Sequence, residues 1–216
     1  MGCNIVVLIS GSGSNLQAFI DGAASGALPE CTIRAVISNK ADAYGLERAR
    51  QAGIATDCID HRDFTNREDF DTALAQRIDQ FGADLIILAG FMRILTPGFV
   101  RHFRGRLLNI HPSLLPKYPG LHTHQRALDA GDKEAGATVH FVTEELDGGP
   151  PIVQAKIPII PGDSAETLAQ RVLSEEHTIY PLAARWFAEG RLRLDGKKAV
   201  LDEQVLPESG LAYNQA

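Results

Sequence analysis

A chain of 216 residues, 44% hydrophobic and 22% charged, fits one α/β domain and is long enough to bury a core without cross-links. Its net charge of −6, with no basic stripe, argues against nucleic acid as a partner. No apolar run approaches the ~20 residues that span a bilayer, and Met1–Asn4 lacks a basic leader or cleavage site, so neither a membrane partner nor a signal peptide is expected and a cytoplasmic location is.

The first half alternates two periodicities. Ile5–Ile9 is a β-type apolar run, and residues 15–24 follow with Leu16, Phe19, Ile20 and Ala23 at helical spacing. Strands are predicted at 33–37, 55–59, 84–89 and 107–110, and helices at 45–52 and after a candidate N-cap at Asn66. That βαβα order implies an open, mostly parallel twisted sheet with right-handed crossovers and helices on both faces. The pattern then changes. Residues 111–124 read as an irregular Pro/Gly/Leu loop, with a short helix at 127–130. Strand-like runs at 137–143 and 152–160 place antiparallel strands toward the C-terminal half. A long helix is expected after Asp163, capped by Asp163 with Glu166 and kinked at Pro181. A hairpin about Asp195-Gly196 and a loose tail from Pro207 complete the chain. We read residues 1–216 as a single domain, with a core over about 4–188 and an appendage over 191–216.

Chemistry concentrates at strand ends. Asn109 and His111 share one side-chain parity at the end of an apolar strand, where ligands gather in parallel sheets. An amide there can donate to an oxyanion and an imidazole can move a proton. Asp147, before Gly148-Gly149-Pro150, suits a turn and on its own discriminates nothing. Gly11-Ser12-Gly13-Ser14-Asn15 follows a strand and opens a helix. It reads either as a cradle for one phosphate or as a tight turn; Leu16 stands where a dinucleotide fingerprint needs a third glycine. Glu176 falls on the apolar stripe Leu168, Val172, Ile179, Ala183, and a carboxylate there needs partners, whether sugar hydroxyls or a buried arginine. His122, His124 and His140 with His111 make no ligand pattern, so no metal is expected. Cys3, Cys31 and Cys58 match no zinc spacing and read as free thiols.

Taken as a group, residues 11–15, Ser38-Asn39-Lys40, residues 89–95, Leu108-Asn109-Ile110-His111-Pro112-Ser113-Leu114-Leu115-Pro116 and residues 147–150 resemble the phosphoribosylglycinamide formyltransferase family of folate-dependent enzymes. The resemblance runs from about Asn4 to Trp186. It implies a Rossmann-like formyltransferase fold and transfer of a formyl group from 10-formyltetrahydrofolate to the amine of glycinamide ribonucleotide, in purine synthesis, without a metal. It further implies Asn109, His111 and Asp147 as the catalytic trio. Gly13, Ser14, Asn15, Pro112 and Glu176 would hold the ribonucleotide. Arg67, Met92, Arg93, Ile94, Leu95 and Asn109 would line the folate pocket. Leu173 departs from the family pattern, which would place a polar residue near the ribose. The partners implied are the two small molecules, with a monomer or a homodimer equally open.

The alternative is a 10-formyltetrahydrofolate hydrolase, which resembles the chain around the same trio but carries a regulatory domain ahead of it. A tRNA formyltransferase would carry a basic C-terminal domain, and a binding module without catalysis would be expected to lack a member of the trio.

Overall fold

The computed structural model describes residues 2–213, and the chain divides into two compact units at residues 1–108 and 109–216. The first unit is a parallel α/β layer. Its strands β1 (Cys3–Ile9), β2 (Cys31–Ser38), β3 (Ala55–Cys58) and β4 (Leu85–Leu88) run in the order β4-β1-β2-β3, all parallel. Residues of both parities in β1, Ile5 to Ile9, are fully buried, as are Leu85, Ile86 and Ile87. Covering of both sheet faces explains why these strands read as continuous apolar runs rather than alternating ones. Helix α1 (Ser14–Ser25) buries Leu16 and Phe19, α2 (Tyr44–Gln51) buries Leu46 and Ala49, and α3 (Arg67–Gln80) buries Phe70, Leu74 and Ile78. Asn66 caps α3 as expected, accepting the Asp69 amide at 2.8 Å. A further helix, α4 (Pro97–His102), was not predicted; six residues are too few to show a period. Its signal is local: Thr96 accepts the Phe99 amide as N-cap and Pro97 opens the first turn.

Strand β5 (Leu107–His111) ends in the second unit, which continues with α5 (Thr123–Asp129), β6 (Glu134–Phe141), β7 (Pro151–Pro158) and α6 (Ala165–Ala188). Strands β6 and β7 are antiparallel, with Ala137 facing Ala155. A small antiparallel sheet, β8 (Leu192–Asp195), β9 (Lys198–Leu201) and β10 (Gln204–Val205), forms the expected hairpin at Gly196.

Two expectations here are corrected. Helix α6 is capped by Ser164 and Thr167, whose side chains and amides bond reciprocally at 3.2 and 3.0 Å. Asp163 instead accepts the Ile160 amide and pairs with Arg171 at 2.6 Å; the true box is one residue later and uses a threonine where a glutamate was expected. Pro181 lies inside α6, which continues to Ala188. Its missing amide costs about 3 kcal/mol, which burial of Ile179, Tyr180, Ala183 and Ala184 around it offsets. The tail from Pro207 is not loose: β11 (Leu211–Tyr213) adds to β7 in parallel, Leu211 facing Val153. Non-local pairing of a three-residue strand leaves no periodic trace in sequence. The last three residues of that tail, 214–216, lie outside the described residues. Among the described residues no helix is long and apolar enough to cross a membrane.

Candidate active site

In the second unit, β5 delivers Asn109 and His111 to its C-terminal end, and Asp147 follows β6 on a turn. His111 is 6% exposed. Its Nε2 lies 2.8 Å from the Tyr118 carbonyl, and because a carbonyl only accepts, Nε2 carries a proton. Nδ1 then faces Asp147 Oδ2 at 3.5 Å, a contact that becomes an ion pair whenever the ring is protonated. The same Asp147 oxygen accepts the Gly120 amide at 2.9 Å, and its other oxygen lies 3.9 Å from His140 Nε2. Asp147 has φ 51, a left-handed conformation that Asp tolerates better than most residues. The turn closes at Gly149, where a Cβ would collide with the Phe141 carbonyl. The Asp-Gly-Gly run is thus a steric requirement as well as a motif.

His140 is the residue that sequence reasoning missed as part of this cluster, having weighed it only as a metal ligand. Its Nδ1 donates to the Phe141 carbonyl at 2.9 Å, so in the neutral ring Nε2 is bare and accepts Asn109 Nδ2 at 3.2 Å. Burial pushes its pKa down to about 4, the backbone bond and Asp147 opposing. His140 is therefore neutral at physiological pH, and it fixes which way the Asn109 amide points. The available signal was a histidine within the apolar run of β6.

The loop after His111 is irregular but tied down. Thr138 Oγ1 donates to the Ser113 carbonyl at 2.7 Å and accepts from the Leu115 amide and from Gln154 Nε2, which also reaches the Leu115 carbonyl. Thr138, Gln154 and Ser113 are all buried. Lys117 and Tyr118 both bond Asp132, and Arg126 donates to the Pro119 carbonyl. This scaffold presents the Tyr118 carbonyl and Gly120 amide to His111 and Asp147. Burial and the charge of His111 lower the pKa of His124 nearby. Pro112 is half-buried beside His111, and Glu176 is 7% exposed on the apolar stripe of α6, where the periodicity placed it.

In the first unit, Gly11–Asn15 links β1 to α1. Gly13 is the N-cap at φ 73 and supplies no side-chain cap. Gly45 donates its amide to the Gly11 carbonyl at 3.0 Å, and Arg48 donates to the Ser12 carbonyl at 2.8 Å. With the loop's carbonyls occupied and its helix start uncapped, amides are what it offers a ligand. A cavity of about 240 Å³ is lined by residues 10–15 together with Ala89, Gly90 and Met92. The segment 92–95 is held from beneath: Met92 donates its amide to Ser10 Oγ at 2.8 Å, and Arg67 reaches the Ile94 carbonyl at 2.5 Å. Met92 and Ile94 remain 64% and 59% exposed. Leu95 is half-buried and Arg93 lies over the Phe70 ring at 5.8 Å. Arg67 thus braces the segment; its bonded nitrogen is committed to protein.

Among the described residues, no three His, Cys, Asp or Glu side chains converge as a metal site requires.

Comparison with known proteins identifies the family. The family model for formyl transferases matches residues 3–184. The phosphoribosylglycinamide formyltransferase of Escherichia coli K12 is 59% identical over 212 residues, covering 98% of this chain and 100% of that protein. The human trifunctional purine biosynthetic protein adenosine-3 is 46% identical over 190 residues, 88% of this chain and 19% of that protein. A solved phosphoribosylglycinamide formyltransferase from Coxiella burnetii superposes with a TM-score of 0.94 at 54% identity, covering 99% of this chain and 100% of that one. The chain belongs to the formyl transferase family.

Proposed function

We propose that this chain is a phosphoribosylglycinamide formyltransferase, transferring a formyl group from 10-formyltetrahydrofolate to the amine of glycinamide ribonucleotide. The relatives described above, to which it is similar over nearly its whole length, support that assignment. The observation that carries the chemistry is the cluster of Asn109, His111 and Asp147 with Asn109 oriented by a neutral His140.

In this mechanism the neutral amine attacks the formyl carbon, forming a C–N bond and a tetrahedral oxyanion. Asn109 Nδ2 gives one N–H to His140 and the other to that oxyanion. Such a donor is worth ~3 kcal/mol of barrier. The Tyr118 carbonyl fixes the His111 ring through Nε2, and a protonated His111 would lend positive charge to the oxyanion. Asp147 supports the charge on His111. The proton lost by the amine reaches the leaving N10 by way of Asp147, His111 or a water beside them, and cleavage of the C–N10 bond releases tetrahydrofolate. No covalent enzyme intermediate enters.

Gly13, Ser14 and Asn15 would take the ribonucleotide phosphate on the start of α1, Glu176 the ribose hydroxyls, and Pro112 would flank the substrate. The segment 92–95 would meet the folate ring through backbone groups, with Met92 and Ile94 as its apolar edge and Arg67 as the brace. We take 1–216 as one formyltransferase domain, a reading supported by the single family match that runs from residue 3 to residue 184. A cytoplasmic location suits its small-molecule substrates and its free thiols.

The test mixes the protein with 10-formyltetrahydrofolate with and without glycinamide ribonucleotide. Donor consumption that depends on the ribonucleotide is expected. Equally fast consumption without an acceptor would replace the transferase by a hydrolase.

A further inference from the structure

Two of the three cysteines begin neighbouring strands. Cys3 opens β1, Cys31 opens β2, and they are register partners across the parallel pair. Partners in adjacent strands lie about 4.7–4.9 Å apart and point to the same face. That spacing falls within the range of roughly 4.4–6.8 Å between Cα atoms that a disulfide accepts. The two thiols are in contact: Cys3 keeps its proton, held by its hydrogen bond to Cys31 and by burial. Cys3 is only 5% exposed whereas Cys31 is half-buried, so Cys31 is the more accessible of the two to a reagent. Cys58 ends β3 opposite Ser38, at the far end of β2. Seven residues of strand, about 23 Å, separate that position from Cys31.

We propose that Cys3 and Cys31 form a dithiol site that closes to an intrachain disulfide on exposure to a peroxide. The Cys31 thiolate attacks a peroxide oxygen, becoming a sulfenic acid as the O–O bond breaks and water leaves. The Cys3 sulfur then attacks the Cys31 sulfur, the S–O bond breaks, and a second water carries off the hydroxyl with the Cys3 proton. Two thiols and one hydrogen peroxide give one disulfide and two waters, with two electrons passing from sulfur to oxygen. The bond would tie the starts of β1 and β2, while the loop 11–15 follows the other end of β1. Seven residues of β1, about 23 Å, lie between them, so the link should leave the loop's geometry alone.

The experiment treats the purified full chain with hydrogen peroxide and reads intact mass, a non-reducing peptide map and Tm. A species lighter by two hydrogen atoms is expected, with the Cys3 and Cys31 peptides joined and Cys58 still open to alkylation. Its Tm should rise by several degrees, because the cross-link closes a loop in the unfolded chain, and transferase turnover should stay within about twofold. Cys31→Ser should yield no such species. The proposal is overturned if both thiols remain alkylatable, if Cys31 stops at a sulfinic acid, or if the link involves Cys58. The mass readout stands whether or not the transferase assignment does.

Discussion

Asn109 Nδ2 lies 3.2 Å from a bare His140 Nε2, and the proton that would block this contact is held on Nδ1 by the Phe141 carbonyl. The histidine therefore acts on the reaction through the asparagine. His140→Ala frees the Asn109 amide to rotate and should lower kcat about tenfold, the worth of one neutral hydrogen bond, with KM little changed. His140→Gln, which can still accept through Oε1, should recover part of the loss. The double variant with Asn109→Ala should be no slower than Asn109→Ala alone. Additive losses would mean that His140 works independently of the amide.

A stability measurement follows from the same ring. Burial lowers the folded pKa of His140 from 6.5 to about 4, so between these values the unfolded chain binds a proton that the folded one does not. Its contribution is complete above about pH 6.5 and disappears as the pH falls toward 4. The span corresponds to roughly 3 kcal/mol. Urea unfolding at closely spaced pH values should show stability falling over that window. His140→Gln should flatten that part of the profile, and an unchanged slope in the variant would assign the loss to other groups.

The strands and the placement of Asn109, His111 and Glu176 were legible because both signals are local. A run such as Ile5–Ile9 is buried on both faces, and a carboxylate on the stripe of Val172 and Ile179 is out of place by periodicity alone. Contacts joining distant residues were not legible. The Gly120 amide on Asp147 spans 27 positions and the Asn109–His140 bond spans 31. Nothing near Asn109 announces that its orientation is set from β6. Short elements failed for the opposite reason: α4 and β11 are too brief to have a period.

Asp147 has two duties that one substitution separates. Its Oδ2 holds the Gly120 amide and also faces His111. Asp147→Asn keeps an oxygen for the amide but removes the charge. It should lower kcat by about two orders of magnitude or more while Tm stays near that of the parent. Asp147→Ala should lose both, since it frees the Gly120 amide. If Asp147→Asn retained most of its turnover, the carboxylate's charge would have no part in the transfer.

Gly13 tests how the phosphate loop is built. A Cβ at that position would stand 2.7 Å from the Gly45 Cα, and the residue holds φ 73. Gly13→Ala therefore meets two penalties. The left-handed conformation costs about 1–2 kcal/mol for a residue with a Cβ, and the clash is with backbone, which has no alternative rotamer. The loop must move off α2, weakening the Gly45 amide bond to the Gly11 carbonyl that turns the loop's amides outward. We expect destabilisation of about 2 kcal/mol or more, read as a lower urea midpoint with unchanged slope. A KM for the ribonucleotide raised at least tenfold should accompany it, with the KM for the folate nearly unaffected. Gly11→Ala, where a Cβ would meet nothing within 4 Å, should be mild in both measurements. Equal effects at the two glycines would mean that the close approach to Gly45 is not what shapes the loop.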